Sequence, residues 1–420
     1  MKLAIIGAGS TYTPELVDGL IRCRKDFPIE TLSLMDIDSQ RLNTVGSFVA
    51  RMAEASGGLF NIEKHTRLRG ALAGADFVVV QIRVGGQLWR NLDCKLAMEH
   101  GLIGQETTGF AGFAKAIRTI PKILDICQAM QEAAPDAWLI NFTNPSGIIT
   151  EAIAGHGGVR VIGLCNVPIN MKFEIARALA VPADEISLDY VGLNHLSWIR
   201  KVYWLGKDVT DQVMAIGASS IQANIAGAPV TIELARALRM APSPYLKYFY
   251  RTDDSIAEQK SSPQTRAEAV MEIEAELMKL YRDPAVATKP KALTRRGGAH
   301  YSTIAIDVMS SIYNDSRKVE IVDIPHSGAV HGFPQSAVME IPAVIDAAGA
   351  HPIHIGDIEP EIRGLMHQVK AYEELTVEAA ITGSYSRALV ALVNNPLVRD
   401  AGKAESLLDA LVASGRASLR

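Results

Sequence analysis

What the chain lacks sets the first limits on what it can be. No apolar run in its 420 residues approaches the roughly 20 needed to cross a bilayer, so no membrane-spanning role is expected. Four cysteines, Cys23, Cys94, Cys127 and Cys165, are scattered without paired spacing, which argues against a disulfide framework and suits reduced thiols. Charge of one sign is also scarce: 42 Lys and Arg against 46 Asp and Glu leave a formal net charge of -4, a poor footprint for nucleic acid. Lys2 leads straight into an apolar run with no small-residue cleavage site behind it, so no signal peptide is expected and the protein is read as cytoplasmic. There is no internal repeat, low-complexity tract or clear linker. At 48% hydrophobic and 21% charged, the composition is that of a globular protein long enough for two domains.

What is present begins at the first residues. Leu3-Ala4-Ile5-Ile6 is a short apolar run that stops at Gly7-Ala8-Gly9-Ser10, and a helical pattern follows through Pro14, Leu16, Val17 and Leu20. A buried strand, a glycine turn and a helix in that order let the backbone approach a dinucleotide pyrophosphate at the helix N-terminus. The third glycine of the fingerprint is missing, with Tyr12 in its place, so the turn alone is weak evidence. It gains weight from Thr31 to Met35, a second predicted strand ending in Asp36, whose carboxylate would accept the ribose hydroxyls of NAD and disfavour the extra phosphate of NADP.

Further apolar runs, Phe77 to Gln81, Trp138 to Phe142 and Val161 to Leu164, read as parallel strands covered on both faces. Between the first two, Gln87 to Gly112 reads as a long loop at the open end of the sheet, followed by a helix from about Phe113 to Ala133. The second half is less regular. It holds a strand into a turn around Asp189 to Trp198, helix and loop from Asp208 to Arg239, and a charged helix from Pro263 to Tyr281. Helical patterns follow over Ile304–Tyr313 and Glu361–Val393, with short strands near Lys318–Ile321 and Val338–Ile341. The predicted fold is α/β: a Rossmann-like doubly wound parallel sheet over residues 1–170, with a mixed α+β substrate and metal domain over 171–420.

The strand ends carry the candidate chemistry. Cys165 and His195 offer a thiolate and an imidazole, a donor pair suited to a divalent transition metal; a buried small hydrophobe and a core histidine are the alternative reading. Asn141, Asn144, Asn166 and Asn194 either satisfy turn backbone or converge on a polyhydroxylated ligand. Arg83, Arg90, Arg266 and Arg295-Arg296 are either surface charges or a phosphate-reading set.

Taken in order, the Gly-x-Gly-Ser start, Gln81-Ile82-Arg83-Val84-Gly85-Gly86, Ile103-Gly104-Gln105-Glu106-Thr107 and Asn141-Phe142-Thr143-Asn144-Pro145 are followed by five more motifs. These are Gly163-Leu164-Cys165-Asn166, Gly192-Leu193-Asn194-His195, Tyr245-Leu246-Lys247-Tyr248, Thr265-Arg266-Ala267 and Arg296-Gly297-Gly298. Together they resemble the NAD- and metal-dependent glycoside hydrolases of family 4, most of all the 6-phospho-β-glucosidase branch, over most of the chain. The resemblance implies NAD held by Gly7, Gly9, Ser10, Thr11, Asp36, Arg41 and Arg83, and manganese or another divalent metal on Cys165 and His195. It implies Tyr245 as catalytic base with Glu106 raising its basicity, and a 6-anionic glycoside held by Arg90, Asn144, Asn166, Asn194 and Arg266. A homodimer or homotetramer is expected. Asn166 stands where α-acting relatives carry Asp, which favours β-glycosides.

The implied reaction oxidises carbon 3 of the sugar, removes the proton of carbon 2, eliminates the aglycone, adds water and returns the hydride. Departures from the family pattern at Trp89, His326-Ser327-Gly328 and Gln335-Ser336 are expected to reshape the pocket. They make an NAD-dependent sulfoquinovosidase, with a 6-sulfonate in place of phosphate, the alternative. A 2-hydroxy-acid dehydrogenase and a non-catalytic NAD-binding protein are the remaining readings.

Overall fold

Strand and helix alternate from the first residues: β1 (Lys2–Ile6), α1 (Thr13–Arg22), β2 (Thr31–Met35), α2 (Ser39–Ala55), β3 (Asn61–His65), α3 (Leu68–Leu72), β4 (Phe77–Val80), α4 (Gly86–Glu99), α5 (Gly109–Ala133), β5 (Trp138–Asn141), α6 (Ser146–His156), β6 (Arg160–Gly163) and α7 (Asn166–Leu179). The computed structural model describes residues 1–216, 229–298 and 300–420. β1 is flanked in parallel by β2 and β4, which is why Leu3 to Ile6 are all apolar and buried. The order β3-β2-β1-β4-β5-β6 is that of a dinucleotide-binding sheet, and all six strands present their C-terminal ends to one rim.

The second half of the chain extends that sheet. β7 (Ile186–Leu193), β8 (Leu196–Trp204), β9 (Lys207–Asp208) and β10 (Ala241–Pro242) form a separate small sheet. β11 (Lys318–Pro325), β12 (Val338–Asp346) and β13 (Gly349–Pro352) then add to β6 as antiparallel strands, giving nine in all. β11 reaches β6 through a single pair, Asp323 opposite Gly163. β12 also packs on β7, so the small sheet is fixed against the large one.

Two sequence expectations are corrected. Gln87 to Gly112 is not one long loop: α4 occupies Gly86–Glu99. Its polar side chains Gln87 and Arg90 face an internal cavity, not solvent, and this removes the apolar stripe by which a helix is recognised. The single pattern over Glu361–Val393 is two helices, Pro360–Thr382 and Tyr385–Asn394, broken at Gly383, whose φ of 67° the helix cannot continue through. The β11 and β12 strands run longer than the short segments expected. Part of the helix-and-loop expectation over Asp208 to Arg239, residues 217–228, lies outside the described residues.

The C-terminal tail is pinned beneath the cavity by a buried ion triad. Asp93 of α4, 1% exposed, takes Arg118 of α5 on one oxygen at 2.6 Å and Arg416 on the other at 2.7 Å. Removing the carboxylate strands two guanidiniums, a loss of about 3–5 kcal/mol for a buried pair. Asp93→Ala is therefore expected to lose that much stability in denaturant unfolding, and a loss under about 1 kcal/mol would contradict the account.

Candidate active site

The rim of the large sheet opens into a cavity of about 1040 Å³ that runs from the first glycine turn to the small sheet. At the turn, Gly7 has φ +88° and a Cβ there would stand 2.9 Å from the Gln81 carbonyl oxygen. A Cβ on Gly9 would meet the Asp36 carboxylate at 2.8 Å, the distance at which the Gly9 N–H now donates to Asp36 Oδ2. Both positions therefore exclude side chains, and the cradle they leave fits a pyrophosphate lying on backbone. Arg41 donates to the Gly9 carbonyl at 3.1 Å. Gly7, Gly9, Ser10, Asp36, Arg41 and Arg83 all line the cavity.

Thr11 does not: it is fully buried, and its hydroxyl accepts from Arg296 Nε at 2.7 Å. Tyr12, in the place of the missing glycine, donates its hydroxyl to the Gly298 carbonyl and so ties the turn to the Arg296-Gly297-Gly298 segment.

At the far end, His195 sits in the two-residue connection between β7 and β8 with φ +66°, and its ring stacks on Tyr245 with centroids 3.8 Å apart. Burial depresses the imidazole pKa to about 3, so the ring is neutral, and its Nδ1 is buried with no hydrogen-bond partner. Cys165 lies just behind the wall, 2% exposed, at the N-cap of α7. Burial, then Glu340 and Asp323, hold its thiol well above the usual range, so it keeps its proton. Among the described residues no three His, Cys, Asp or Glu side chains cluster to hold a metal. A neutral imidazole with an unpartnered nitrogen, and a thiol at the next strand end, are nevertheless donor types that fit a cation taking its remaining donors from a ligand.

Tyr245 is half-buried, and desolvation, followed by Cys165, Tyr248 and Glu106, raises its phenol above the usual range. Glu106 thus acts on Tyr245 in the direction the resemblance implies, while desolvation is the larger cause.

The four asparagines do not converge. Asn144 and Asn166 line the cavity, while Asn141 spends its amide on Thr143, Ser146 and Thr150. Asn194 points away and donates to Glu340 at 3.0 Å. Asn144 Oδ1 and Arg90 Nε are buried without partners, an acceptor and a donor in one cavity wall. Arg266 also reaches the cavity, its guanidinium resting on the carbonyls of Arg295 and Arg296. Trp89, His326-Ser327-Gly328 and Gln335-Ser336 are not in the lining, so the expected reshaping of the pocket is not found. His326 instead organises its own turn, accepting from the Gly328 and Val330 N–H groups at 3.2 Å.

Glu106 is the charge centre of the cavity. It pairs with Arg83, with Arg90 at 3.1 Å and with Lys115 at 3.2 Å. Burial pushes its carboxyl up, but the three cations outweigh burial and hold it well below the usual range. Lys115 was missed by the sequence reading, since one lysine in a helix pattern looks like a solvated residue. Burial, with Arg83 beside it, pushes its ammonium down to about 7, against the pull of Glu106. The carboxylate already has two guanidiniums that cannot shed a proton, so the lysine is the one that can.

The sign follows: the unfolded chain holds this proton up to about pH 10 and the folded chain up to about 7, so folding releases it in between. Wild type is expected to gain stability over Lys115→Met as pH rises from 7 towards 10. Denaturant unfolding at pH 6 and pH 9 reads this, and an unchanged gap would refute it.

Comparison with known proteins follows the same outline. Residues 2–181 match the model described as "Family 4 glycosyl hydrolase", and residues 190–398 match its C-terminal domain. A probable 6-phospho-beta-glucosidase of Bacillus subtilis (strain 168) is 40% identical, covering 100% of this chain and 97% of its own length. A 6-phospho-beta-glucosidase of Escherichia coli (strain K12) is 37% identical over 97% of this chain and 93% of its own. The solved 6-phospho-beta glucosidase of Thermotoga maritima, with manganese, NAD+ and glucose-6-phosphate, superposes with a TM-score of 0.92 at 34% identity, covering 100% of this chain and 99% of that one. Matched in both halves and aligned from end to end, the chain belongs to the family 4 glycosyl hydrolases.

Proposed function

We propose that the protein is a 6-phospho-β-glucosidase that uses NAD and a divalent metal, manganese in the first instance. The observation that carries the proposal is the continuity of one cavity. A nucleotide cradle at Gly7, Gly9 and Asp36 opens into the same space as Tyr245, His195 and the unpartnered polar atoms of Arg90 and Asn144. The similarity to 6-phospho-β-glucosidases at 37–40% identity supports the substrate class.

In this reading Asp36 takes the ribose hydroxyls, Arg41 and Arg83 complete the nucleotide end, and Cys165 with His195 hold the cation. Bound NAD supplies a reversible hydride acceptor for carbon 3, and the cation draws electron density from the sugar oxygens and the Tyr245 phenol. Arg266 grips the 6-phosphate, its planar fork matching the anion, while Arg90 Nε and Asn144 Oδ1 orient sugar hydroxyls. Tyr245 removes the proton of carbon 2 once carbon 3 is a ketone, and Glu106 sets the charge around it by fixing Arg83, Arg90 and Lys115. The aglycone leaves carbon 1 with its electron pair, water adds to the resulting alkene, and the hydride returns, so NAD is not consumed.

Asn166 beside the metal-binding Cys165 supports the β preference. No cavity residue among the observed departures favours a 6-sulfonate over a 6-phosphate. The nucleotide segment is assigned to residues 1–170 and the catalytic segment to 171–420, in a cytoplasmic homo-oligomer.

With NAD and Mn²⁺ present, the protein is expected to cleave 6-phospho-β-glucosides faster than 6-phospho-α-glucosides or sulfoquinovosides. In heavy water, deuterium should enter carbon 2 with no net NADH. Tyr245→Phe should lose about 10²–10⁴-fold in kcat, the range for removal of a general base. Steady NADH release would instead indicate a dehydrogenase, and cleavage at full rate without nucleotide would end the proposal.

A further inference from the structure

The two metal-binding side chains come from different sheets. Cys165 follows β6 of the large sheet, whereas His195 sits on the β7–β8 connection of the small one. A two-donor site split in this way depends on how firmly the sheets are joined at that point. Glu340, on β12 of the large sheet and 1% exposed, stands at the joint.

Its two oxygens act on the small sheet. Oε1 accepts from the Asn194 amide at 3.0 Å, and Oε2 accepts from the Tyr190 hydroxyl at 2.5 Å. Tyr190 in turn shares a 2.5 Å hydrogen bond with Ser197 on β8, so the carboxylate grips both strands of the hairpin that presents His195. On the other side the Glu340 charge acts on the Cys165 thiol, raising its pKa.

The turn itself needs holding. His195 is in the left-handed region at φ +66°, a conformation that is unfavourable for a side-chain-bearing residue and persists only where its surroundings impose it. Asn194, the preceding residue, is anchored to Glu340 by its side chain. The ring stack on Tyr245 fixes His195 from the opposite side.

We infer that Glu340 is a positioning residue for the divalent-metal site, bracing the Asn194-His195 turn of the small sheet against Cys165 of the large one. The inference rests on the reading of Cys165 and His195 as the metal-binding pair. Groups that orient metal ligands commonly change affinity by about 10- to 100-fold when removed.

The test measures Mn²⁺ binding directly, by equilibrium dialysis of the full-length protein with NAD present, alongside NAD affinity and thermal stability. Glu340→Gln keeps the volume but cannot accept at both oxygens, and Asn194→Ala cuts the tether from the other end. Each is expected to weaken Mn²⁺ binding by about 10- to 100-fold with NAD affinity unchanged. The double variant is expected to be no weaker than the worse single one, since both break one link. Mn²⁺ affinity within twofold of wild type in both folded single variants, whatever their melting temperatures, would overturn the inference. Cys165→Ser separates the two levels: if it binds Mn²⁺ as wild type does, the metal reading fails and takes the inference with it.

Discussion

A cavity whose nucleotide end belongs to one sheet and whose histidine belongs to another keeps its geometry only if the sheets cannot slide. That constraint is met by β12, which is hydrogen-bonded into the large sheet through β11 and packs against β7 of the small one. The Ser146 hydroxyl donates to Asp323 at 2.5 Å, locking the start of α6 to the strand that adds to β6. Buried polar contacts of this kind specify one arrangement of neighbouring elements, because any sliding would leave their atoms unsatisfied. Catalytic precision at the rim is therefore a property of the joint beneath it.

Above the joint, the cavity concentrates charge that a protein interior would ordinarily reject. Glu106 survives burial because three cations surround it, and Glu274 similarly takes Arg41 and Arg296. The Gln87 amide donates to Glu274 at 3.2 Å and its carbonyl accepts from Arg90 at 3.0 Å. Contacts therefore run from the nucleotide turn through Glu274, Gln87 and Arg90 to Glu106. Guanidiniums held this way are preorganised, so an anionic substrate entering the cavity meets donors already in place.

The protonation states at the far end of the cavity follow from desolvation. The Tyr245 phenol and the Cys165 thiol are held protonated, and the His195 ring is held neutral. The His195 and Tyr245 rings are stacked, so a charge placed at one is felt at the other.

The parallel strands and their glycine turn could be read from sequence because a strand buried on both faces is an unbroken apolar run, and each run stops at the residue that reaches the rim. Gly7, Gly9, Asp36 and Cys165 were legible for that reason, and the ordered motifs pointed to the family. Helix α4 was not, because its polar face turns inward and erases the periodicity on which such a reading depends. Lys115 looked like any solvated lysine, and only packing against Glu106 singles it out. The asparagines looked equivalent at their strand ends; tertiary contacts gave Asn141 to a turn, Asn194 to Glu340, and left Asn144 and Asn166 to the cavity. Local order along the chain thus determined the elements and the residues at their tips. Which tips face one another, and with what charge, was decided by the docking of two sheets, a long-range event that no local pattern records.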